Sequence, residues 1–95
     1  MKALIKKYPG ETDLEIVDIP RPVCPDDGVV LKIRTAGICG SDIPRVLHNG
    51  AHGYPIVLGH EFSGVVEQVG EGVTSVKPGM RASGAPLVPC MKCED

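Results

Sequence analysis

Apolar and charged side chains alternate from Val29 to Arg34. Val30, Lys32 and Arg34 fall on one side and Val29, Leu31 and Ile33 on the other, the two-residue period of a half-buried strand. Ala3-Leu4-Ile5, set among lysines, predicts a first strand exposed on one side. Leu14 to Ile19 alternates in part and predicts its hairpin partner, with Tyr8-Pro9-Gly10 turning the chain between them. Pro20, Pro22 and Pro25 forbid regular pairing and predict an extended connector that ends in the turn Asp26-Asp27-Gly28. A second long strand is predicted over Phe62 to Val69, with Gly70-Glu71-Gly72 as its closing turn. Between the two long strands lies a short helix over Ile43 to Leu47. Ser41 or Asp42 is its expected cap, Pro44 is tolerated in its first turn, and Asn49-Gly50 is its end. Ile56-Val57-Leu58 leads into the second long strand. Val73 to Val76 is a short segment, Lys77-Pro78-Gly79 turns into Met80-Arg81-Ala82, and the chain from Pro86 onward reads as loop.

Composition narrows the class. Aromatic residues make up 3% of the 95 and there is no Trp, so the core has to be built from Val, Ile and Leu. Twelve Gly and nine Pro call for frequent turns, and together these favour a β-barrel or sandwich over a helical bundle. Ten basic residues are interspersed with twelve acidic ones, so no basic stripe exists to neutralise a phosphate backbone, and nucleic acid is not an expected partner. No apolar run approaches the roughly 20 residues that span a bilayer, so no membrane partner is expected either. The N-terminal Met-Lys-Ala-Leu-Ile-Lys-Lys has charge on both sides of a very short apolar run and does not read as a signal peptide. A cytoplasmic location is therefore expected, with the four Cys as reduced thiols, metal ligands or catalytic groups.

Two places carry candidate chemistry. In Leu58-Gly59-His60-Glu61-Phe62-Ser63-Gly64, an imidazole and a carboxylate sit side by side at a strand entry, flanked by glycines that let the backbone come close to something. Cys39, in Gly37-Ile38-Cys39-Gly40-Ser41-Asp42, is delivered to one end of the sheet by the first long strand. A thiolate, an imidazole and a carboxylate brought together suit zinc, and three protein ligands leave a fourth position open for water or substrate. The competing reading of Cys39 is a small buried apolar residue. The second place is Cys90-x-x-Cys93, which reads as a redox pair or as half of a tetrathiolate zinc site. The redox reading lacks its usual βαβ context, and the zinc reading needs two more Cys than this chain has to spare, since Cys24 lies in the proline-rich connector.

Taken together, Gly37-Ile38-Cys39-Gly40-Ser41-Asp42, Gly59-His60-Glu61-Phe62-Ser63-Gly64-Val65-Val66, Val69-Gly70-x-Gly72-Val73, Lys77-Pro78-Gly79-Met80-Arg81-Ala82 and Pro89-Cys90-x-x-Cys93 resemble the zinc-dependent medium-chain alcohol and polyol dehydrogenases. Pro44-Arg45 with Asn49-Gly50-Ala51-His52 resembles the galactitol-phosphate branch of that family. The resemblance implies a mainly β fold: a GroES-like, partly open β-barrel with short helices, truncated, with residues 1–95 as the N-terminal part of the catalytic domain. It implies Cys39 and His60 as ligands of a catalytic zinc, and Glu61 as a further ligand or a carboxylate held just behind the metal. Ser41 would be the hydroxyl that takes the substrate proton, and Asp42 the acceptor that orients His60. Cys90 and Cys93 would begin a structural-zinc lobe. Where many relatives carry a proton-relay His, this chain has Pro44, so the relay would end through a ribose hydroxyl and water or through His48. His48 and His52 are candidates for relay or for a phosphate contact, beside Arg45.

The function implied is transfer of hydride from a small-molecule polyol or polyol phosphate to NAD or NADP, by a homo-oligomeric (dimeric or tetrameric) zinc enzyme. Gly70-x-Gly72 closes a strand and opens no helix, so no dinucleotide-binding glycine motif is present. The 95 residues alone are expected to be inactive, and to be marginally stable or associated through unpaired sheet edges. Two other readings compete: a non-enzymatic GroES-like or zinc-binding module, which would need no Cys39/His60/Glu61 set, and a zinc-free relative of the quinone-reductase type, which generally lacks both that set and the C-x-x-C.

Overall fold

The computed structural model describes residues 1–9, 13–48, 51, 53–90, 92 and 93. Within them the chain forms β1 (Lys2–Lys6), β2 (Leu14–Asp18), β3 (Val29–Gly37), α1 (Asp42–Leu47), β4 (Ile56–Val57), β5 (Glu61–Val69) and β6 (Arg81–Ser83). The strands make two three-stranded antiparallel sheets, ordered β2-β1-β4 and β3-β5-β6. The fold is thus mainly β with one short helix, and its sheets are open, as expected. The predicted hairpin is present, with Leu4 opposite Ile16. The two long strands pair with each other, which brings Gly37 opposite Glu61.

Three expectations need correction. The first concerns faces on β3. Val30, grouped with Lys32 and Arg34 by strict alternation, is buried, as Val66 is, whereas Ile33 is 50% exposed. The pairing register shifts twice, between Val30 and Leu31, where β5 carries the extra residue Glu67, and between Ile33 and Thr35, where β3 carries the extra residue Arg34. The second concerns Lys6, read as part of an exposed lysine setting. It is wholly buried on the central strand of its sheet, and its ammonium pairs with Asp13. That hydrogen bond holds the Asp13 carboxyl below its usual range. Third, the helix begins at Asp42, and Ser41 occupies the cap position without any side-chain cap bond. The helix end assigned to Asn49-Gly50 lies outside the described residues.

Backbone contacts explain the turns. Gly70 N–H donates to the Gly28 carbonyl and Gly72 N–H to that of Asp26, so the turn after β5 is tied to the turn before β3. Val73 N–H donates to Gly70 in the same turn, and Val73 to Val76 carries no strand. Met80 N–H closes the next turn on Lys77. Gly64, on the core face of β5, lies so close to β3 that a Cβ there would overlap the Lys32 carbonyl and stand 3.1 Å from Ile33 Cα. Only a residue without a side chain lets β5 pair at that point. No helix among the described residues is long and apolar enough to cross a membrane.

Candidate metal centre

Antiparallel pairing of β3 with β5 sets the end of one strand against the start of the other, and this builds the site. Cys39 follows β3 by two residues, His60 precedes β5, and Glu61 is its first residue. Gly59, at φ +112°, is in a backbone region that L side chains rarely adopt, and it turns the chain into His60. One ligand atom from each of Cys39, His60 and Glu61 lies within 4.8 Å of the others, and among the described residues they form the one such cluster of metal-ligating side chains. Glu61 is exposed, and Cys39 and His60 are half-buried. A soft thiolate, an imidazole and a carboxylate at this separation fit a zinc ion with one position left open.

The helix supplies the surrounding polar groups. Asp42 is buried, and its Oδ2 accepts the Cys39 backbone N–H at 2.9 Å, while Oδ1 lies 3.5 Å from His60 Nδ1. One carboxylate therefore contacts both the Cys39 backbone and the His60 ring. Ser41 Oγ is 3.4 Å from His60 Nε2. Arg45, one turn further along α1, donates from Nη1 to Ser41 Oγ at 3.0 Å, and the same nitrogen lies 3.4 Å from Asp42 Oδ1 and 3.4 Å from His60 Nδ1. The sequence considered Arg45 only for phosphate. Its spacing of three from Asp42 and four from Ser41 on a helix was the available signal.

The remaining candidates stand apart from this cluster. Cys90 and Cys93 are exposed, with sulfurs 3.0 Å apart. The hydrogen bond from Cys93, aided by the backbone N–H of Lys92, lowers the Cys90 thiol to about 7. Cys24 directs its sulfur at the carbonyls of Pro25 and Gly28, 3.6 Å from each. Pro44 lies in the first turn of α1 with no imidazole in its place. His48 is exposed, and its carbonyl accepts the Tyr54 hydroxyl at 3.4 Å. His52 lies outside the described residues.

Open antiparallel sheets that set a strand-end cysteine against a strand-start histidine and glutamate are a recognisable arrangement, and comparison with known proteins identifies it. The family described as the alcohol dehydrogenase GroES-like domain matches residues 25–95, and the chain belongs to that family. It is 45% identical over 95 residues to the galactitol 1-phosphate 5-dehydrogenase of Escherichia coli K12, covering 96% of this chain and 27% of that protein. It is 42% identical over 90 residues to the sorbitol dehydrogenase of Bombyx mori, covering 90% of this chain and 26% of that one. The crystal structure of galactitol-1-phosphate dehydrogenase from Escherichia coli superposes with a TM-score of 0.91 at 42% identity, over 99% of this chain and 27% of that one. The chain thus spans about a quarter of the length of the relatives it matches, and the kinship with alcohol and polyol dehydrogenases read from its motifs holds.

Proposed function

We propose that this chain is the N-terminal part of a GroES-like catalytic domain, and that the protein it serves is a cytoplasmic, homo-oligomeric dehydrogenase. That enzyme oxidises a secondary alcohol of a polyol or polyol phosphate, with NAD or NADP as hydride acceptor. The observation that carries the reading is the convergence of Cys39, His60 and Glu61 within 4.8 Å, with the Ser41 hydroxyl 3.4 Å from His60.

In this reading Cys39, His60 and Glu61 hold zinc. When bound, zinc supplies a Lewis acid that lowers the pKa of the substrate alcohol. Asp42 holds the site together from behind: a proton on His60 Nδ1 directed at Oδ1 leaves the Nε2 lone pair facing outward, and Oδ2 fixes the Cys39 backbone. The substrate proton passes to Ser41 Oγ as that hydroxyl gives up its own proton, and the Arg45 guanidinium holds the hydroxyl in position by donating to Oγ. Ser41 is exposed, so its proton reaches water without an imidazole at position 44. Cys90 and Cys93 offer two of the four thiolates of a structural zinc site. With no dinucleotide-binding glycine motif, the 95 residues alone turn over no NAD.

The test is zinc content by elemental analysis of the chain and of its Cys39→Ser/His60→Ala variant. One zinc per chain lost with those two substitutions is the expected result. Equal zinc in both proteins would remove the metal site from these residues.

A further inference from the structure

The outward face of the β3-β5-β6 sheet carries a second polar site, apart from the metal cluster. Arg34, Ser63, Arg81 and Ser83 line a hollow of about 410 Å³ floored by Gly64, Val65 and Ala82, and no carboxylate is among its lining residues. The pairing register explains the grouping. Ser63 stands opposite Ser83 and Val65 opposite Arg81, so side chains two apart on neighbouring strands share one face. Arg34 comes from the other side. Ile33 pairs with Gly64 and Thr35 with Ser63, which leaves Arg34 as the residue without a register partner at an irregularity of the kind that re-aims a side chain.

The charges in this hollow are not used elsewhere in the described structure. Lys6 pairs with Asp13, Lys7 with Glu15, Arg21 with Glu67 and Arg45 with Asp42. The side chains of Arg34 and Arg81 make no hydrogen bond or salt bridge among the described residues. Of the two carboxylates that flank the hollow along β5, Glu61 belongs to the Cys39/His60/Glu61 cluster and lies against Gly37, and Glu67 pairs with Arg21. Strands β3 and β6 flank β5, about 9.6 Å apart at two strand spacings, so Arg34 and Arg81 enter the hollow from strands on opposite sides of β5.

We infer that Arg34, Arg81, Ser63 and Ser83 form a binding site for a tetrahedral oxyanion of the phosphate type. Guanidinium groups donate to such an oxyanion in pairs and hydroxyls supply further donors, the combination that phosphate recognition uses. The ligand is free phosphate or the phosphate of a small metabolite. This site is independent of the dehydrogenase reading.

The test is titration of the isotopically labelled 95-residue chain with inorganic phosphate, followed by amide NMR shifts, with chelator present and no dinucleotide, so that it reads nothing of zinc or turnover. Saturable shifts centred on Ser63, Arg81 and Ser83 are expected. Arg34→Gln and Arg81→Gln should each weaken binding about tenfold, the loss of one charge-assisted pairing, whereas Arg21→Gln, which removes a cation paired with Glu67, should leave it unchanged. The Ser63→Ala/Ser83→Ala variant keeps every charge and should weaken binding severalfold, which covers the case in which an arginine variant does not fold. Titration with sorbitol 6-phosphate separates the sources. Affinity equal to that for phosphate supports recognition of the oxyanion alone, and tighter binding supports a phosphorylated metabolite. Absence of saturable shifts, equal weakening by Arg21→Gln, or equal binding of unphosphorylated sorbitol would overturn the site.

Discussion

Arg45 Nη1 lies 3.0 Å from Ser41 Oγ, one helical turn away. This hydrogen bond turns the serine hydroxyl along the helix surface toward His60, instead of back onto the backbone N–H groups that a capping serine would satisfy. The same guanidinium nitrogen also faces the buried carboxylate of Asp42. The first turn of α1 is therefore held by side chains that lie against His60 of the Cys39/His60/Glu61 cluster.

Replacing Arg45 by Met keeps the aliphatic stem and removes the donors. Because Arg45 is partly exposed, the expected loss is modest, about 1 kcal/mol. A double-mutant cycle with Asp42→Asn, read by denaturant unfolding, should return a coupling of that order. Strict additivity of the two changes would mean that the contact contributes nothing.

Gly64→Ala should be far more damaging than its single methyl suggests. The added Cβ meets the Lys32 backbone across the β3-β5 pair, and backbone cannot swing aside as a flexible side chain can. A destabilisation of about 2 kcal/mol is expected, visible as a lowered thermal midpoint.

The Lys6–Asp13 pair predicts a pH dependence. The folded-state carboxyl of Asp13 is depressed by its hydrogen bond from Lys6, so its contribution is complete at neutral pH and is lost as pH falls through the depressed value. Asp13→Asn should therefore melt at a lower temperature than the parent at pH 7, and the gap should close below about pH 4, where an ordinary carboxylate takes up its proton. A gap that is constant with pH would assign the effect to something other than the charge.

In the metal-free chain, the Cys90 thiolate should form at about pH 7. Alkylation by iodoacetamide should rise with a midpoint near that value. Cys93→Ala removes the main stabilising donor and should move the midpoint of Cys90 up toward the ordinary thiol range. An unmoved midpoint would show that the neighbouring sulfur is not the cause.

Strand β2 lies at a sheet edge and carries Ile16 at 69% exposure, and Leu14 and Leu4 are also exposed in the same hairpin. An apolar edge of this kind invites pairing with another chain. Sedimentation of the 95-residue chain should show association that Ile16→Lys reduces.

The sequence by itself determined the longer strands, the helix and their order, but not the short strands β4 and β6. Alternation marked β3 and part of β2, an apolar run among lysines marked β1 and a β-branched bias marked β5, while prolines marked the connector and Gly-containing turns the strand ends, because these are local properties of the backbone. Cys39, His60, Glu61, Ser41 and Asp42 were also legible as a group, through residue types and their order along the chain. Tertiary structure decided everything that depends on register. Val30 is buried and Ile33 half exposed, the reverse of what alternation suggests, and the pairing leaves Glu67 of β5 and Arg34 of β3 without partners, which only the meeting of the two strands decides. Burial of Lys6 depended on where Asp13 lands, and the contacts of Arg45 on how α1 sits over His60. Such outcomes are fixed by pairing between residues distant in the chain, which no local pattern encodes.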